Sequence, residues 1–593
     1  MTNRYQQTWD LESVFAGGSK SPALHGHMDE VAESLKALKA KLDTLPSPDT
    51  ADGLSAWYEV LMASQQLIDQ FYQAGAYLAC LTAQDVRDMD AKLLQGRLGQ
   101  MGAEFGSVEI FWRDRIRQLP QATWEKILAD ERFSTVAFNL QEMRDEAQDM
   151  LPTEEETLAN DLALDGFHAW SRLYSTISGR VTINFDGEKL SAGQAYNKFS
   201  HPDPAYRARL FTAWEEAWGD QAELCASALN HLGGFRLAMY RRRGWDSILR
   251  KPMHDNRMTQ ATLDAMWGAV EGGKETLVGY LKRKAELMGT GTYNWYDENA
   301  PLGAATRKVA YDDAADFIVE HFGRFSPKMA DFAARAYQGC WIEAEDRPGK
   351  MPGGFCTPLP LSRQCRIFLT YGGDAGSVAT VAHELGHAFH FDVMWDIPPM
   401  ARQYAMNVAE TASTFAEMIV AKAAIAAAPT QDEKVALLDD SIRRAVTMFM
   451  NIHSRFIFEM RFYEARKKGL LSVDQLNELM VGAQKDAFRG SLATHHKHFW
   501  ASKGHFYGTG VPFYNFPYTF GFLFSAGIYA RAMEEGRAFE DKYIALLRDT
   551  GRMTVEDLAA RHLGVDLSRP DFWEAAVRIV TADVPEFLSL TAR

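Results

Sequence analysis

Long apolar runs are missing from this chain of 593 residues. No window approaches the roughly 18 to 20 uninterrupted apolar residues that a membrane-spanning helix needs, so no membrane partner is expected. The stretch Met1 to Gly18 also lacks the basic and then apolar profile of a secretory signal. Cysteine is scarce: five residues, Cys80, Cys225, Cys340, Cys356 and Cys365, with no Cys-x-x-Cys pair. That count argues against a disulfide framework and against a thiolate zinc site, and it fits reduced thiols in the cytoplasm. Positive charge is in deficit, 63 Lys and Arg against 78 Asp and Glu, for a net charge of -15. Sequence-independent attachment to nucleic acid or anionic lipid is therefore not expected. The run Arg241 to Arg243 is the nearest basic patch, and it reads as a solvated helix end. Internal repeats, low-complexity tracts and long Pro/Ser linkers are absent as well.

What is present is core material: 47% of the residues are hydrophobic and 24% charged. Met28, Val31, Leu35, Leu38 and Leu42 fall at three- and four-residue steps, and similar stripes recur along the chain. The fold class read from them is all-α, mainly helical, with small β insertions. One insertion is Arg180 to Ala192, where Val181, Ile183 and Phe185 alternate with polar residues before the turn dipeptide Asp186-Gly187. Another is the strand-like run Cys365 to Tyr371, ending at Gly372-Gly373. Glu345 to Pro360, rich in Gly and Pro, is the most irregular stretch.

The pentapeptide His383-Glu384-Leu385-Gly386-His387 carries the chemistry. Two histidines four apart on a helix can grip one metal ion, and the glutamate between them is then a candidate general base. On a helical projection His383, His387 and His390 share one side, while Val378, Val381, Leu385 and Ala388 form an apolar back. Asp374 or Ser377 can cap the helix after the glycine pair. The three-histidine metalloprotease class is excluded, because it needs glycine at 390 and histidine at 393, where this chain has His390 and Val393. Pro398-Pro399 ends the helix and lets a returning one begin near Ala401. At about 1.5 Å per residue, His387 and Glu410 then lie at similar heights. Glu410 completes a His/His/Glu set that leaves a fourth position open for water. Glu417, seven residues on and on the same face, is the rival ligand and is read as the acceptor for a ligand histidine. Such a set takes zinc, and it also accepts cobalt or manganese.

Val381 to His390 followed by Val408 to Glu417 resembles the zinc core of the M3 oligopeptidases, in particular the oligoendopeptidase F branch. Trp9-Asp10-Leu11, Trp295 to Leu302, Gly349 to Phe355, His505-Phe506-Tyr507 and Phe513 to Tyr518 are similar to further family segments, so the likeness spans nearly the whole chain. It implies a helical peptidase that encloses a deep substrate channel, with a zinc-binding helix pair and one zinc ion at its base. The implied activity is cutting short unstructured peptides at internal bonds. Carried onto this chain, the resemblance makes His383, His387 and Glu410 the metal ligands and Glu384 the general base. His505, Tyr514 and Tyr518 become donors to the oxyanion. Loss of one such donor is expected to cost on the order of 100-fold in turnover. Pro512 and Pro517 place Tyr514 on a loop just before a helix. The chain divides softly at the 180–192 hairpin into an N-terminal helical region, 1–190, and a catalytic region, 191–593.

Three secondary readings accompany this one. Arg366 to Tyr371 could pair with an extended peptide through a free strand edge, or merely pair within a small sheet. Gly353 and Gly354 serve either a mobile loop over the site or a turn. His495, His496 and His498 read as a solvated polar segment rather than a second metal site. Two alternatives to the endopeptidase remain: a zinc carboxypeptidase or dipeptidyl carboxypeptidase on the same scaffold, and a non-catalytic peptide-binding protein. The exopeptidase needs an Arg or Lys to hold the peptide's C-terminal carboxylate.

Overall fold

Local signals start and stop the helices where the sequence indicates. Ser21 accepts a hydrogen bond from the Leu24 amide and Pro22 occupies the first turn, so a helix runs over Pro22–Asp43. Its predicted stripe, Met28 to Leu42, is buried. It packs with two longer helices, Ala51–Gln84 and Met89–Gln118. The structure, a computed structural model, describes residues 4–303 and 308–592. Helices dominate among them, with two small sheets. None of the described helices is long and apolar enough to cross a membrane.

The first sheet is the predicted hairpin. Strands β1 (Thr182–Phe185) and β2 (Glu188–Ser191) pair antiparallel, Phe185 opposite Glu188. Asp186 and Gly187 both take positive φ, 48° and 82°, as a tight two-residue hairpin turn demands. Ile183 and Phe185 point inward and their neighbours outward.

The second sheet bears on the site. Its strands are β3 (Ile342–Glu343), β4 (Phe355–Leu359) and β5 (Gln364–Phe368), in the order β3-β5-β4, with β3 parallel and β4 antiparallel to β5. The free edge expected for Arg366 to Tyr371 does not exist, because β5 is the central strand. The outer edge belongs instead to β4, which follows the glycine-rich stretch. On the far side the chain's opening segment runs along β3: the Asp10 amide donates to the Cys340 carbonyl, and the Ala344 amide to the Gln7 carbonyl. The fully buried Arg366 guanidinium clamps the Asp10 carbonyl at 2.7 and 3.1 Å.

Buried apolar side chains gather in two cores. One spans Trp9 to Leu140 and also takes in Leu359, Phe368 and the turn around Met394 to Ala401. The other begins at Ala163, includes Ile183, Phe185 and Leu190 of the hairpin, and continues to Phe587. The helix bearing the His-Glu-x-x-His motif, Ala375–Asp392, buries its apolar residues in the second core, and β4, β5 and the helix Thr411–Ala427 all pack on it.

Candidate metal centre and active site

Asp374 is the cap of the motif helix: its carboxylate accepts from the Ser377 amide at 2.7 Å and from the Ser377 hydroxyl at 2.9 Å. The apolar back is buried as predicted. The polar front is shorter than predicted, because His390 is fully buried among other residues. Its Nε2 lies 3.2 Å from the Leu547 carbonyl and 2.9 Å from the Thr550 hydroxyl, and its ring stacks on Tyr404 at 4.4 Å. Burial pushes this imidazole down to about 3, so it is a neutral core residue.

The returning chain also differs from expectation. After Pro399–Arg402, a short turn of helix spans only Met406–Ala409, and the long helix begins at Thr411. Glu410 sits at the break between them. Its placement nonetheless meets the motif, because the two helices cross very closely at Gly386. A Cβ there would fall 2.5 Å from the Ala412 carbonyl oxygen and 2.6 Å from the Ser413 Cα. No side chain fits.

At that crossing the Nε2 atoms of His383 and His387 lie 3.3 and 3.4 Å from the same oxygen, Glu410 Oε2. The three candidate ligand atoms all lie within 4.8 Å of one another. These separations pass a physical test. Ligands bonded at about 2.1 Å to a tetrahedral ion stand roughly 3.4 Å apart. His383 is also oriented from behind, its Nδ1 facing Glu417 Oε2 at 3.2 Å, while the Ala409 backbone favours the protonated His387 ring only weakly. Arg444 pairs with Glu417, and the Ser413 hydroxyl donates to Glu410 Oε2 at 2.7 Å. Burial holds His387 down to about 4, against the pull of Glu410, so its lone pair is free near neutral pH. At Glu410 burial opposes ionisation, but His383, His387 and Ser413 outweigh it and hold the carboxyl down to about 2. The donor set therefore fits a divalent ion: two imidazole nitrogens and one carboxylate, partly open on one side.

Glu384 faces a different surrounding. Its Oε2 is buried without a hydrogen-bond partner, and a Cβ on Gly354 would come within 3.4 Å of its Oε1. Burial pushes this carboxyl up to about 7, with His383 opposing and Glu410 adding to the rise. Gly353, at φ 100°, makes the turn that brings Gly354 to this position.

The tyrosine segment reaches the same place. Asn515 and Pro517 start a helix, Phe516–Glu535, and Tyr514 lies in the turn before it. Gly521 abuts Glu410, since a Cβ would meet the Glu410 Cβ at 3.0 Å, and Ser525 donates to the Glu410 carbonyl at 3.2 Å. Tyr518 lies three residues before Gly521, on the same face. Its phenol donates to that of Tyr514 at 3.3 Å, and the His505 ring stacks on Tyr514 at 5.2 Å. Burial raises the Tyr518 phenol far above its usual value, aided by Tyr514 and the Glu410 carboxylate. Burial, then Arg455 and Lys503, push His505 down to about 4.

Motif reading gave no role to Gly386, Ser413, Arg444 or Gly521, although Gly386 lies within the pentapeptide and Ser413 three residues after Glu410. His496 and His498 are buried rather than solvated. Glu215 faces both imidazoles, and His496 also meets Ser502 at 2.9 Å and Trp214 at 3.1 Å. They belong to a packed polar network.

The sequence model described as "Peptidase family M3" matches residues 325–579, and the one described as "Oligopeptidase F" matches residues 115–182. An oligoendopeptidase F homolog of Lactococcus lactis subsp. lactis is 21% identical, over 99% of this chain and 97% of its own length. Oligopeptidase PepF of Bacillus subtilis is 20% identical, over 99% and 87%. A Chlamydophila abortus crystal structure shares the fold at TM-score 0.82 and 17% identity, over 99% and 98% of the two chains. The crystal structure of oligoendopeptidase-F from Enterococcus faecium does so at TM-score 0.67 and 17% identity, over 95% and 98%. With the two family matches together covering more than half of its residues and relatives aligned end to end, the chain belongs to peptidase family M3, in its oligopeptidase F branch, and is a metallopeptidase.

Proposed function

We propose that the chain hydrolyses internal bonds of short unstructured peptides, with a zinc ion held by His383, His387 and Glu410 and with Glu384 as general base. The observation that carries this reading is the convergence of both Nε2 atoms on Glu410 Oε2, beside a buried Glu384 oxygen that has no partner. Bound there, zinc would supply a Lewis acid that polarises the scissile carbonyl and acidifies a water. Glu384 takes the attacking water's proton at Oε2 and passes it to the leaving amine; a carboxyl lifted to about 7 is matched to both transfers near neutral pH. Glu417 holds the rear proton of the His383 imidazole, which keeps its Nε2 lone pair turned to the centre. His505, Tyr514 and Tyr518 form the opposite wall and donate to the oxyanion of the attacked carbonyl. The outer edge of β4, reached past Gly354, offers backbone groups to an extended peptide, which gives binding tolerant of side-chain identity.

The test is product mass spectrometry on C-terminally amidated peptides, with metal analysis of the purified protein. The expected result is about one zinc per chain, internal cuts abolished by a chelator, and a loss of at least about 1000-fold in Glu384→Gln. Undiminished cleavage by that variant would remove Glu384 from the reaction. Cleavage that depends wholly on a free C-terminal carboxylate would favour the exopeptidase.

A further inference from the structure

Beyond the tyrosine wall stands a pair of cations with no carboxylate to pair with. Lys503 Nζ lies 4.9 Å from the centre of the Tyr196 ring and 5.4 Å from that of Phe499, and the Arg455 guanidinium carbon lies 5.2 Å from the same Phe499 ring. Arg455 donates to two side-chain amides, Asn451 and Asn515, each at 2.9 Å, and has no ion pair among the described residues. Lys503 Nζ has neither a hydrogen bond nor an ion pair there. The nearest acid that acts on both, Glu298, has its oxygens occupied by Thr447 at 2.8 Å and Asn451 at 2.7 Å. Two positive charges over one aromatic ring, in direct contact only with rings and neutral amides and sharing the field of a single carboxylate, are under-compensated.

Their position ties them to the candidate active site. Asn515, which anchors Arg455, directly follows Tyr514, and Lys503 lies two residues before His505, whose ring stacks on Tyr514. Arg455 also acts on Tyr518, which in turn feels Glu410.

We propose that Lys503, supported by Arg455, binds a carboxylate carried by the peptide substrate, either the free C-terminus or an Asp or Glu side chain. This deepens the peptidase reading above and rests on it. A planar carboxylate supplies the acceptor that Lys503 lacks and neutralises part of the local excess charge. Burial, with Arg455 adding to it and Glu298 opposing, pulls the Lys503 ammonium down to about 7, as expected of a cation waiting for a counterion.

The test measures binding and turnover separately. A fluorescent peptide is prepared in three forms: C-terminal acid, C-terminal amide, and amide with one internal glutamate. Binding of the uncut peptides is followed by anisotropy on the zinc-loaded Glu384→Gln protein. Wild-type cleavage gives kcat and KM for each form. A carboxylate form is expected to bind about tenfold tighter than the neutral amide, with the difference in KM rather than kcat. In Lys503→Met that ratio should fall to within about twofold, and Lys503→Arg should restore it. A ratio near one for both carboxylate forms in the wild-type sequence overturns the proposal without any variant. So does a ratio unchanged in Lys503→Met, once circular dichroism shows that variant folded. A preference for the acid form alone assigns the C-terminus, and one for the glutamate form alone assigns a side chain. Absence of cleavage with the binding ratio intact would instead overturn the peptidase reading and leave the carboxylate site standing.

Discussion

At the scale of single residues, this chain repeatedly shifts a titratable group by burial, and the groups that face it decide the outcome. Glu410 keeps its charge because two histidines and the Ser413 hydroxyl face it, whereas Glu384, with its Oε2 unpartnered, is lifted to about 7. Lys503 is the cationic counterpart, and its environment sets a pH dependence whose sign can be worked out. The groups facing it are Arg455, Glu298, the rings of Tyr196 and Phe499, and the imidazoles of His505 and His496. His505, held down to about 4, stays neutral throughout the working range. An ordinary lysine is charged to above pH 10, but one lowered to about 7 is protonated below pH 7 and loses its charge above it. The preference for acid over amide peptides should therefore be complete near pH 6 and fade through pH 7 to 8. Anisotropy titrations at several pH values check this; a preference that holds level to pH 9 would mean that Lys503 is not the charge being read.

At the scale of elements, two helices and a sheet edge set the site, and glycine decides how near they come. Gly386→Ala would drive a methyl into backbone atoms at 2.5 and 2.6 Å, which no rotamer change can relieve. The helical preference of alanine returns at most about 1 kcal/mol, while overpacking against fixed backbone costs about 1 to 3 kcal/mol. The variant should melt several degrees lower and carry less than one zinc per chain. Gly268→Ala, in the helix Gln260–Leu287 with nothing within 4 Å, should hold or raise the melting temperature. Calorimetry and metal analysis of the pair separate crowding from propensity. The same contrast explains what could be read in advance. The Asp186-Gly187 turn, the Asp374 cap, the stripe from Met28 to Leu42 and the helix start at Pro517 were legible because each depends on neighbours a few residues away. The burial of His390 depends on Leu547 and Thr550, and that of His496 on Glu215 and Trp214, partners far off in sequence where no periodicity points. The inner place of β5 depends on pairing with both β3 and β4, which precede it, and nothing in its own pattern tells a central strand from an edge one. Glu410 was found by matching heights across a turn, although the helix expected from Ala401 is broken beside it.

At the scale of the whole molecule, the two cores and the hairpin offer different places to divide the chain. We propose a division near 180–192, yet the hairpin's inward residues share the second core, and the N-terminal run of the first core ends at Leu140. Limited proteolysis with mass mapping decides: early fragments ending close to the exposed Asp186-Gly187 turn support the hairpin boundary, and fragments ending between 141 and 162 place it between the cores. The strap of residues 7 to 10 along β3 bears on the order of events during synthesis. Asp10 meets Cys340 and Arg366 at sequence separations of 330 or more, so the small sheet beside Glu384 cannot close until the ribosome has delivered nearly two thirds of the chain. The opening segment must wait unpaired through that interval, and a nascent peptidase has no finished site with which to cut its neighbours.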